Sequence, residues 1–225
     1  MNSAKTVSLI AASPKVGEAA VSDWLSDRAK KVFSGGGVLV HQINVRQSAA
    51  HRPEDDFERM RLSDALIFIF PLYFFCLPGL LIRYLQDFEA YLAAREAAPT
   101  VPRVFCAVNC GFPEPGINEE AVRVVKSFSE KIGASFGFGL MIGGGGMLLP
   151  AQEAPFMKKT LSAIDAAFER MRTDLTADPA GETANLEVKA AFPRRLYFAA
   201  ASLDWISSAK KNGLKKRDLY ARPYV

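Results

Sequence analysis

Apolar runs and stretches of helical periodicity alternate along most of this chain. The apolar runs lie at 7–12, 38–45, 65–70, 104–108 and 136–142. The stretches with one apolar face at helical spacing lie at 21–32, 80–92, 121–132 and 157–171. Strands buried on both faces of a parallel sheet form continuous apolar runs, and residues 65–70 (ALIFIF) are the clearest case. The pattern predicts a βα unit repeated about five times.

Right-handed crossovers place the helices of such a chain on both faces of its sheet. We therefore predict a three-layer, doubly wound α/β domain over residues 1–173, with a five-stranded parallel sheet in flavodoxin-like or Rossmann strand order. Residues 174–225 are predicted to add a linker, 174–192, and one C-terminal helix. That helix is indicated by an apolar stripe formed by Leu196, Ala199, Leu203 and Ile206.

The chain start lacks the apolar stretch and cleavage pattern of a secretory signal, and prolines and a glycine interrupt the apolar run at 65–82. We therefore expect a cytoplasmic protein without an integral membrane segment. Three cysteines without zinc-type spacing and only two histidines argue against a histidine-rich metal site and a Cys–His nucleophile pair.

The net charge of +4 is unevenly distributed, because residues 210–225 carry six basic side chains and one acidic one. Such a run is most often a solvated helix end and sometimes a contact for phosphate or an anionic membrane. We expect no nucleic-acid partner, and we favour packing against a second subunit as the role of this tail.

The loop after the first predicted strand combines a hydroxyl, a lysine and a glycine in Ser13, Lys15 and Gly17. Together with helix-start amides, these groups can receive a phosphate. The alternative is that Ser13 caps the helix while Lys15 faces water. The loop is neither a Walker loop nor GxGxxG, which disfavours nucleotide hydrolysis and dinucleotide binding of those types.

The loop after the third strand carries three consecutive aromatic residues, Tyr73, Phe74 and Phe75, between two prolines. Such a surface suits a flat heterocycle, although any single aromatic residue more often packs in the core or against a subunit. After the fourth strand, Asn109 and the Gly111 amide can bond the polar edge of a ring, while Asn109 could equally form a turn.

Four consecutive glycines, 143–146, follow the fifth strand. They have no side chains for a core and are costly to order, so they predict close backbone approach or mobility. Cys76 and Cys110 could be redox-active, but a single thiol near a loop is more often a small buried apolar group.

Taken together, these loops resemble those of the flavodoxin-like NAD(P)H-dependent FMN reductases. The resemblance extends over nearly the whole chain. It rests on Ser13-Pro14-Lys15, Pro71-Leu72-Tyr73 with Leu77-Pro78, Asn109-Cys110-Gly111-Phe112, the run 143–147, and the tail 209–215 (AKKNGLK).

The resemblance implies bound FMN, NAD(P)H as co-substrate, and hydride transfer through the flavin to a quinone, a flavin or another small acceptor. The flavin would carry the chemistry, so no catalytic side chain is assigned. The implied cofactor-binding residues are Ser13, Lys15, Gly17, Ser22, Pro71, Leu72, Tyr73, Phe74, Asn109, Cys110, Gly111, Phe112, Gly144 and Gly145.

The first loop departs from many relatives, because Glu18 follows its glycine where they carry Asn, Ser or Thr. A glutamate disfavours a nearby phosphate, and Ser22 could supply the missing hydroxyl. Two alternatives stay open: an electron carrier of flavodoxin type with a protein redox partner, and a flavin-free binding module. The resemblance also implies a homodimer.

Overall fold

The computed structural model describes residues 4–96, 101–176 and 183–222. The strands found in these residues are β1 (Thr6–Ala11), β2 (Leu39–Asn44), β3 (Ala65–Pro71), β4 (Arg103–Asn109), β5 (Ser135–Gly143) and β6 (Leu186–Lys189). The helices are α1 (Val21–Gly35), α2 (Val45–Ala50), α3 (Pro53–Arg61), α4 (Gly79–Ala93), α5 (Glu119–Lys131), α6 (Gly145–Leu148), α7 (Lys158–Thr176) and α8 (Arg194–Lys211).

The six strands form one sheet, in the order β2-β1-β3-β4-β5-β6, and every neighbouring pair is parallel. The chain winds outward from β1 to β2 and then crosses back to β3 on the other side of β1. The winding direction therefore reverses between β1 and β3, which is where open α/β sheets bind ligands. The predicted doubly wound fold is confirmed, and the strand order is the flavodoxin-like one.

Two apolar cores lie on opposite faces of the sheet and give the fold three layers. One core joins strand residues such as Phe68 to α3, α4 and α5, and the other joins residues such as Ile67 to α1 and α7. Consecutive residues of β3 alternate between these cores, and its first six residues are buried. Each large apolar side chain contributes roughly 1.5–3 kcal/mol by such burial, which explains why this segment is an unbroken apolar run.

The sheet has a sixth strand, β6, in a segment that the sequence pattern predicts to be only a linker. Its four residues pair with the end of β5, and Val188 is the one residue of the strand that is buried. A short edge strand with a single buried side chain carries too little apolar pattern to be distinguished from a loop. Residues 177–182 of the expected linker lie outside the described residues.

The chain divides into two compact units, Met1–Ala190 and Ala191–Val225. The first unit holds the sheet and both cores, and the second holds α8 and a short 3₁₀ helix at Lys216–Tyr220. Among the described helices, none combines the length and apolarity that a membrane crossing requires.

Candidate functional site

The carboxyl ends of β1, β3, β4 and β5 lie side by side, and backbone hydrogen bonds align the loops that leave them. The Ala12 amide donates to the Ile69 carbonyl at 2.9 Å, and the Leu72 amide donates to the Asn109 carbonyl at 2.8 Å. The Cys110 amide donates to Ile142 in the same way at 3.0 Å. The loops predicted to carry the chemistry therefore start from one continuous edge.

The first loop, residues 12–20, is longer than a simple strand-to-helix turn, because α1 begins only at Val21. Ser13 is buried, and its hydroxyl accepts a hydrogen bond from the Lys15 amide at 3.2 Å, so it does not cap α1. The Lys15 ammonium forms an exposed ion pair with Glu18 at 3.3 Å. Gly17 has φ +74°, a conformation that favours glycine. The cationic group expected to meet a phosphate thus has a carboxylate partner in its own loop.

Ser22 lies in the first turn of α1 and is almost fully buried, with 1 % of its surface exposed. Its hydroxyl has no hydrogen-bond partner among the described residues. An orphaned buried hydroxyl costs about 1–3 kcal/mol, so native structures rarely retain one without a use. The amino end of a helix also offers unpaired amides and positive potential. That Ser22 contacts a phosphate stays a prediction, and its hydroxyl would have to become accessible for that contact to form.

The same helix turn contains Asp23, whose carboxylate accepts a hydrogen bond from the Asn44 side chain at 3.0 Å. Burial raises the pKa of Asp23, while the Asn44 hydrogen bond opposes that shift. Glu18 in the first loop and Asp23 in the first turn of α1 both reduce the positive potential at this helix start.

The loop after β3 makes a tight turn at its aromatic residues. Tyr73 and Cys76 exchange two backbone hydrogen bonds of 2.9 Å, and the two residues between them, Phe74 and Phe75, have φ +48° and +61°. Two-residue turns with positive φ at both central positions strongly prefer Asn-Gly or similar pairs, and a bulky side chain there is strained. The protein therefore holds two phenylalanines in an unfavourable conformation at the carboxyl edge of the sheet.

The aromatic side chains of this turn point away from the core. Phe74 is 98 % exposed and Phe75 is 61 % exposed. The Phe75 ring stacks on Phe112 from the loop after β4, with a centroid separation of 6.4 Å and an interplanar angle of 18°. We call Tyr73, Phe74, Phe75 and Phe112 the aromatic wall. It is apolar, partly ordered by stacking, and close to the reversal point of the sheet.

Asn109 and Cys110 are buried, and their side chains bond within the protein. The Asn109 amide donates to the Phe70 carbonyl at 3.3 Å. The Cys110 sulfur contacts the Phe112 carbonyl at 3.4 Å and the Asn118 amide at 3.5 Å, and burial raises the pKa of this thiol. A buried thiol with a raised pKa is a poor nucleophile, so the geometry favours the structural interpretation of Cys110.

The glycine run holds the loop after β4 in place. The Gly144 amide donates a hydrogen bond to the Phe112 carbonyl at 2.6 Å, and the Gly145 amide donates one to the Cys110 carbonyl at 2.7 Å. A Cβ on Gly145 would lie 2.7 Å from the Asn109 oxygen, which shows how closely the two segments pack. The prediction of close backbone approach is confirmed, and the approaching group is the protein's own loop.

Asn118 is a supporting residue whose role was not recognised in the sequence, where it resembles a helix cap. Its amide donates to the Pro115 and Ile142 carbonyls at 2.9 and 3.4 Å, and it lies completely buried beneath the loop after β4. An Asn before two glutamates signals a helix start, and nothing in that signal indicates bonds to a distant strand.

The predicted residues thus fall into three groups. For the first group, Ser22, Tyr73, Phe74 and Phe112, the contact with a ligand stays a prediction. The second group, Ser13, Lys15 and Gly17, shapes the first loop. The third group supports the edge of the sheet: Pro71, Leu72, Asn109, Cys110, Gly144 and Gly145. The exposed Gly111 lies between Cys110 and the aromatic wall.

Comparison with protein-family models gives no match, and comparison with curated proteins gives none either. Solved structures do match this fold. The apo form of the NADH:FMN oxidoreductase EMOB aligns with a TM-score of 0.57 and 15 % identity, over 85 % of this chain and 98 % of that one. The NAD(P)H:quinone oxidoreductase of Methanothermobacter marburgensis aligns with a TM-score of 0.56 and 16 % identity, over 80 % of this chain and all of that one.

The azoreductase of Bacillus anthracis is similar at a TM-score of 0.51 and 15 % identity, over 75 % of this chain and 98 % of that one. These similarities confirm the flavodoxin-like α/β fold. They agree with the resemblance that the loop residues carry.

Proposed function

We propose that this protein binds FMN at the carboxyl edge of β1, β3 and β4 and acts as an NAD(P)H-dependent oxidoreductase toward a small acceptor. The observation that carries this proposal is the pairing of an exposed aromatic wall with a buried, unpartnered hydroxyl at the same edge. The wall suits an apolar ring system, and the hydroxyl with its helix start suits an anion. FMN combines these two chemistries in one molecule.

The groups that would hold the phosphate are the Ser22 hydroxyl and the first-turn amides of α1. Lys15 would join them after its ion pair with Glu18 opens. An exposed ion pair such as Lys15–Glu18 is worth only about 0–1 kcal/mol, so exchanging its carboxylate for a phosphate costs little. Tyr73, Phe74 and Phe112 would contact the ring. Bound FMN would accept a hydride from a nicotinamide and pass two electrons to the acceptor.

The protein's own contribution is positional. Phe75 stacks on Phe112, and the glycine run bonds the backbone beneath Phe112, so this side of the wall is held by two neighbouring segments. A rigid support of this kind keeps a bound ring in one orientation and covers part of it from water. The similar solved structures include an NADH:FMN oxidoreductase and a quinone oxidoreductase, which supports the same class of reaction here.

The test is the visible spectrum of the purified protein after incubation with excess FMN and desalting, followed by anaerobic addition of NADH or NADPH. We expect a retained flavin spectrum that bleaches with one or both nucleotides. Retained flavin that neither nucleotide bleaches would instead support an electron carrier with a protein donor. A protein that retains no flavin would refute the site assignment and favour a flavin-free binding module.

A further inference from the structure

The loop after β4, residues 110–114, carries Phe112 and is held in place through its carbonyl groups. The glycine run after β5 donates two backbone hydrogen bonds to it, of 2.6 and 2.7 Å. The Cys110 sulfur lies 3.4 Å from the Phe112 carbonyl and 3.8 Å from the Glu114 carbonyl. The Phe112 ring itself is 46 % exposed, so these backbone contacts, together with stacking on Phe75, determine where it lies.

The Asn118 side chain links this loop to β5. Its Nδ2 donates to the Pro115 carbonyl at 2.9 Å and to the Ile142 carbonyl at 3.4 Å, and it lies 3.5 Å from the Cys110 sulfur. The opposite orientation of the amide would set Oδ1 against two carbonyl oxygens, which cannot donate. The contacts therefore fix which way Asn118 points, and one side chain connects the end of the loop, its first residue and the neighbouring strand.

The Cys110 thiol extends this link to Phe112. A thiol is a weak donor and a weak acceptor at once, so its sulfur can accept from Asn118 while its S–H donates to the Phe112 carbonyl. Such a bridge requires the neutral thiol, and burial raises the pKa of Cys110. Asn118, Cys110 and the Phe112 backbone thus form one chain of hydrogen bonds.

The presence of Asn118 has a cost for the free protein. Asn118 is completely buried, and its Oδ1 has no hydrogen-bond partner among the described residues. A buried carbonyl without a partner is unfavourable, and a leucine of similar volume would avoid that cost. The Ile142 carbonyl also accepts from the Cys110 amide at 3.0 Å, so it stays bonded without Asn118. The contribution that only Asn118 makes is therefore its restraint on the loop.

We propose that Asn118 is a positioning residue of the flavin site and that, through the Cys110 thiol, it fixes the loop that presents the Phe112 ring. This inference rests on the proposed function, in which Phe112 contacts the flavin. Asn118 acts from behind the loop and touches no ligand. Its loss should loosen the loop in the apoprotein and misplace the flavin in the complex.

The first test is amide hydrogen exchange of the FMN-free protein, followed residue by residue by NMR. In Asn118→Leu, the Gly144 and Gly145 amides should exchange about tenfold faster or more, because both bond the loop that Asn118 restrains. The Ala12 amide, which donates to the Ile69 carbonyl at the same edge, should keep its wild-type rate.

Ser129→Ala is the matched control, because Ser129 in α5 is also completely buried and its hydroxyl donates to the Lys126 carbonyl at 2.6 Å. It removes a buried hydrogen bond away from the loop, so the exchange of Gly144 and Gly145 relative to Ala12 should not change.

A second pair of variants tests the thiol. Cys110→Ala should loosen the loop as Asn118→Leu does, and Cys110→Ser, which restores a group that donates and accepts, should recover most of the difference. The double variant Asn118→Leu/Cys110→Ala should be little worse than Asn118→Leu alone, because both changes interrupt the same chain of hydrogen bonds. This pair carries the same test if Asn118→Leu does not fold.

The last measurement uses the protein with FMN. Asn118→Leu should weaken FMN binding and slow flavin reduction by NADH or NADPH roughly 10- to 100-fold, since a misplacement of about 1 Å can cost that much. Wild-type exchange of Gly144 and Gly145 in Asn118→Leu, or the same loss of FMN affinity in Ser129→Ala, overturns the positioning role while FMN still binds the wild type. A wild type that retains no flavin refutes the proposed function, and the positioning role with it.

Discussion

Replacing Ser22 with alanine should stabilise the free protein and weaken its binding of FMN. The Ser22 hydroxyl is buried without a partner among the described residues, and leaving it so costs about 1–3 kcal/mol. Alanine removes that cost and has a higher helix propensity, by up to about 0.7 kcal/mol. We therefore expect unfolding free energy to rise by about 1–3 kcal/mol, and the melting temperature by several degrees for a chain of this size.

The effect on binding has the opposite sign. A hydrogen bond from a hydroxyl to a charged phosphate is worth about 1.5–3 kcal/mol. Losing it raises the dissociation constant of FMN roughly 10- to 150-fold. The assays are urea unfolding of the apoprotein and quenching of flavin fluorescence during FMN titration.

Ser26→Ala is the matched control, because Ser26 is one turn further along α1, 3 % exposed, and its hydroxyl accepts from Gln42 at 3.2 Å. Removing a satisfied hydroxyl should cost about 1 kcal/mol of stability and leave FMN affinity unchanged. If Ser22→Ala destabilised the apoprotein and bound FMN normally, the hydroxyl would be a structural group and the phosphate site would be wrong.

Three further predictions concern the turn, the glycine run and a salt bridge. Phe74→Asn should raise the free energy of unfolding of the apoprotein, measured in urea, by about 1 kcal/mol, because it relieves strain at φ +48° and removes a ring that packs against nothing. The affinity for FMN should fall. Gly143→Ala should lower the free energy of unfolding by about 1–3 kcal/mol, because its Cβ would overlap the Pro113 carbonyl. Gly146→Ala should be neutral or slightly stabilising, because no described atom lies within 4 Å of its Cβ. Thermal unfolding compares the two variants. Hydrogen bonds from Arg61 and Tyr91 lower the pKa of Glu58 to about 2. The contribution of Glu58 to folding stability is therefore complete above pH 4.5 and is lost as the pH falls toward 2. In Glu58→Gln, the free energy of unfolding measured over this pH range should fall less steeply than in the wild type.

The fold was predictable because burial on both faces of the sheet leaves a pattern in the chain itself. Residues 65–70 are apolar at every position since alternate side chains enter two different cores. The right-handed crossovers placed helices on both faces of the sheet, but they left the strand order open between the flavodoxin-like and Rossmann arrangements. The edge strand β6 could not be predicted in the same way, because Val188 is its one buried side chain.

The site was predictable only as far as residue type marks a position in a loop. The aromatic residues 73–75 and the glycines 143–146 stand out by residue type, and they lie at the carboxyl ends of β3 and β5. The hydrogen-bond partner of each side chain, by contrast, depends on tertiary contacts that the residue type does not reveal. Asn118 resembles a helix cap but bonds the Ile142 carbonyl, and Asn109 resembles a ring-contacting residue but donates to Phe70.

Local sequence preference fails most clearly at the positions that the function would need. Two-residue turns with positive φ prefer Asn and Gly, yet this turn has two phenylalanines. Buried hydroxyls are normally hydrogen-bonded, yet the Ser22 hydroxyl has no partner among the described residues. Each departure costs on the order of 1–3 kcal/mol in the free protein. A ligand that accepts the Ser22 hydrogen bond recovers part of the cost of that hydroxyl, and one that covers Phe74 gains apolar burial that offsets the backbone strain without removing it. The same two substitutions that improve the free protein should therefore impair the complex, and this coupling of opposite signs distinguishes a binding site from an imperfectly packed surface.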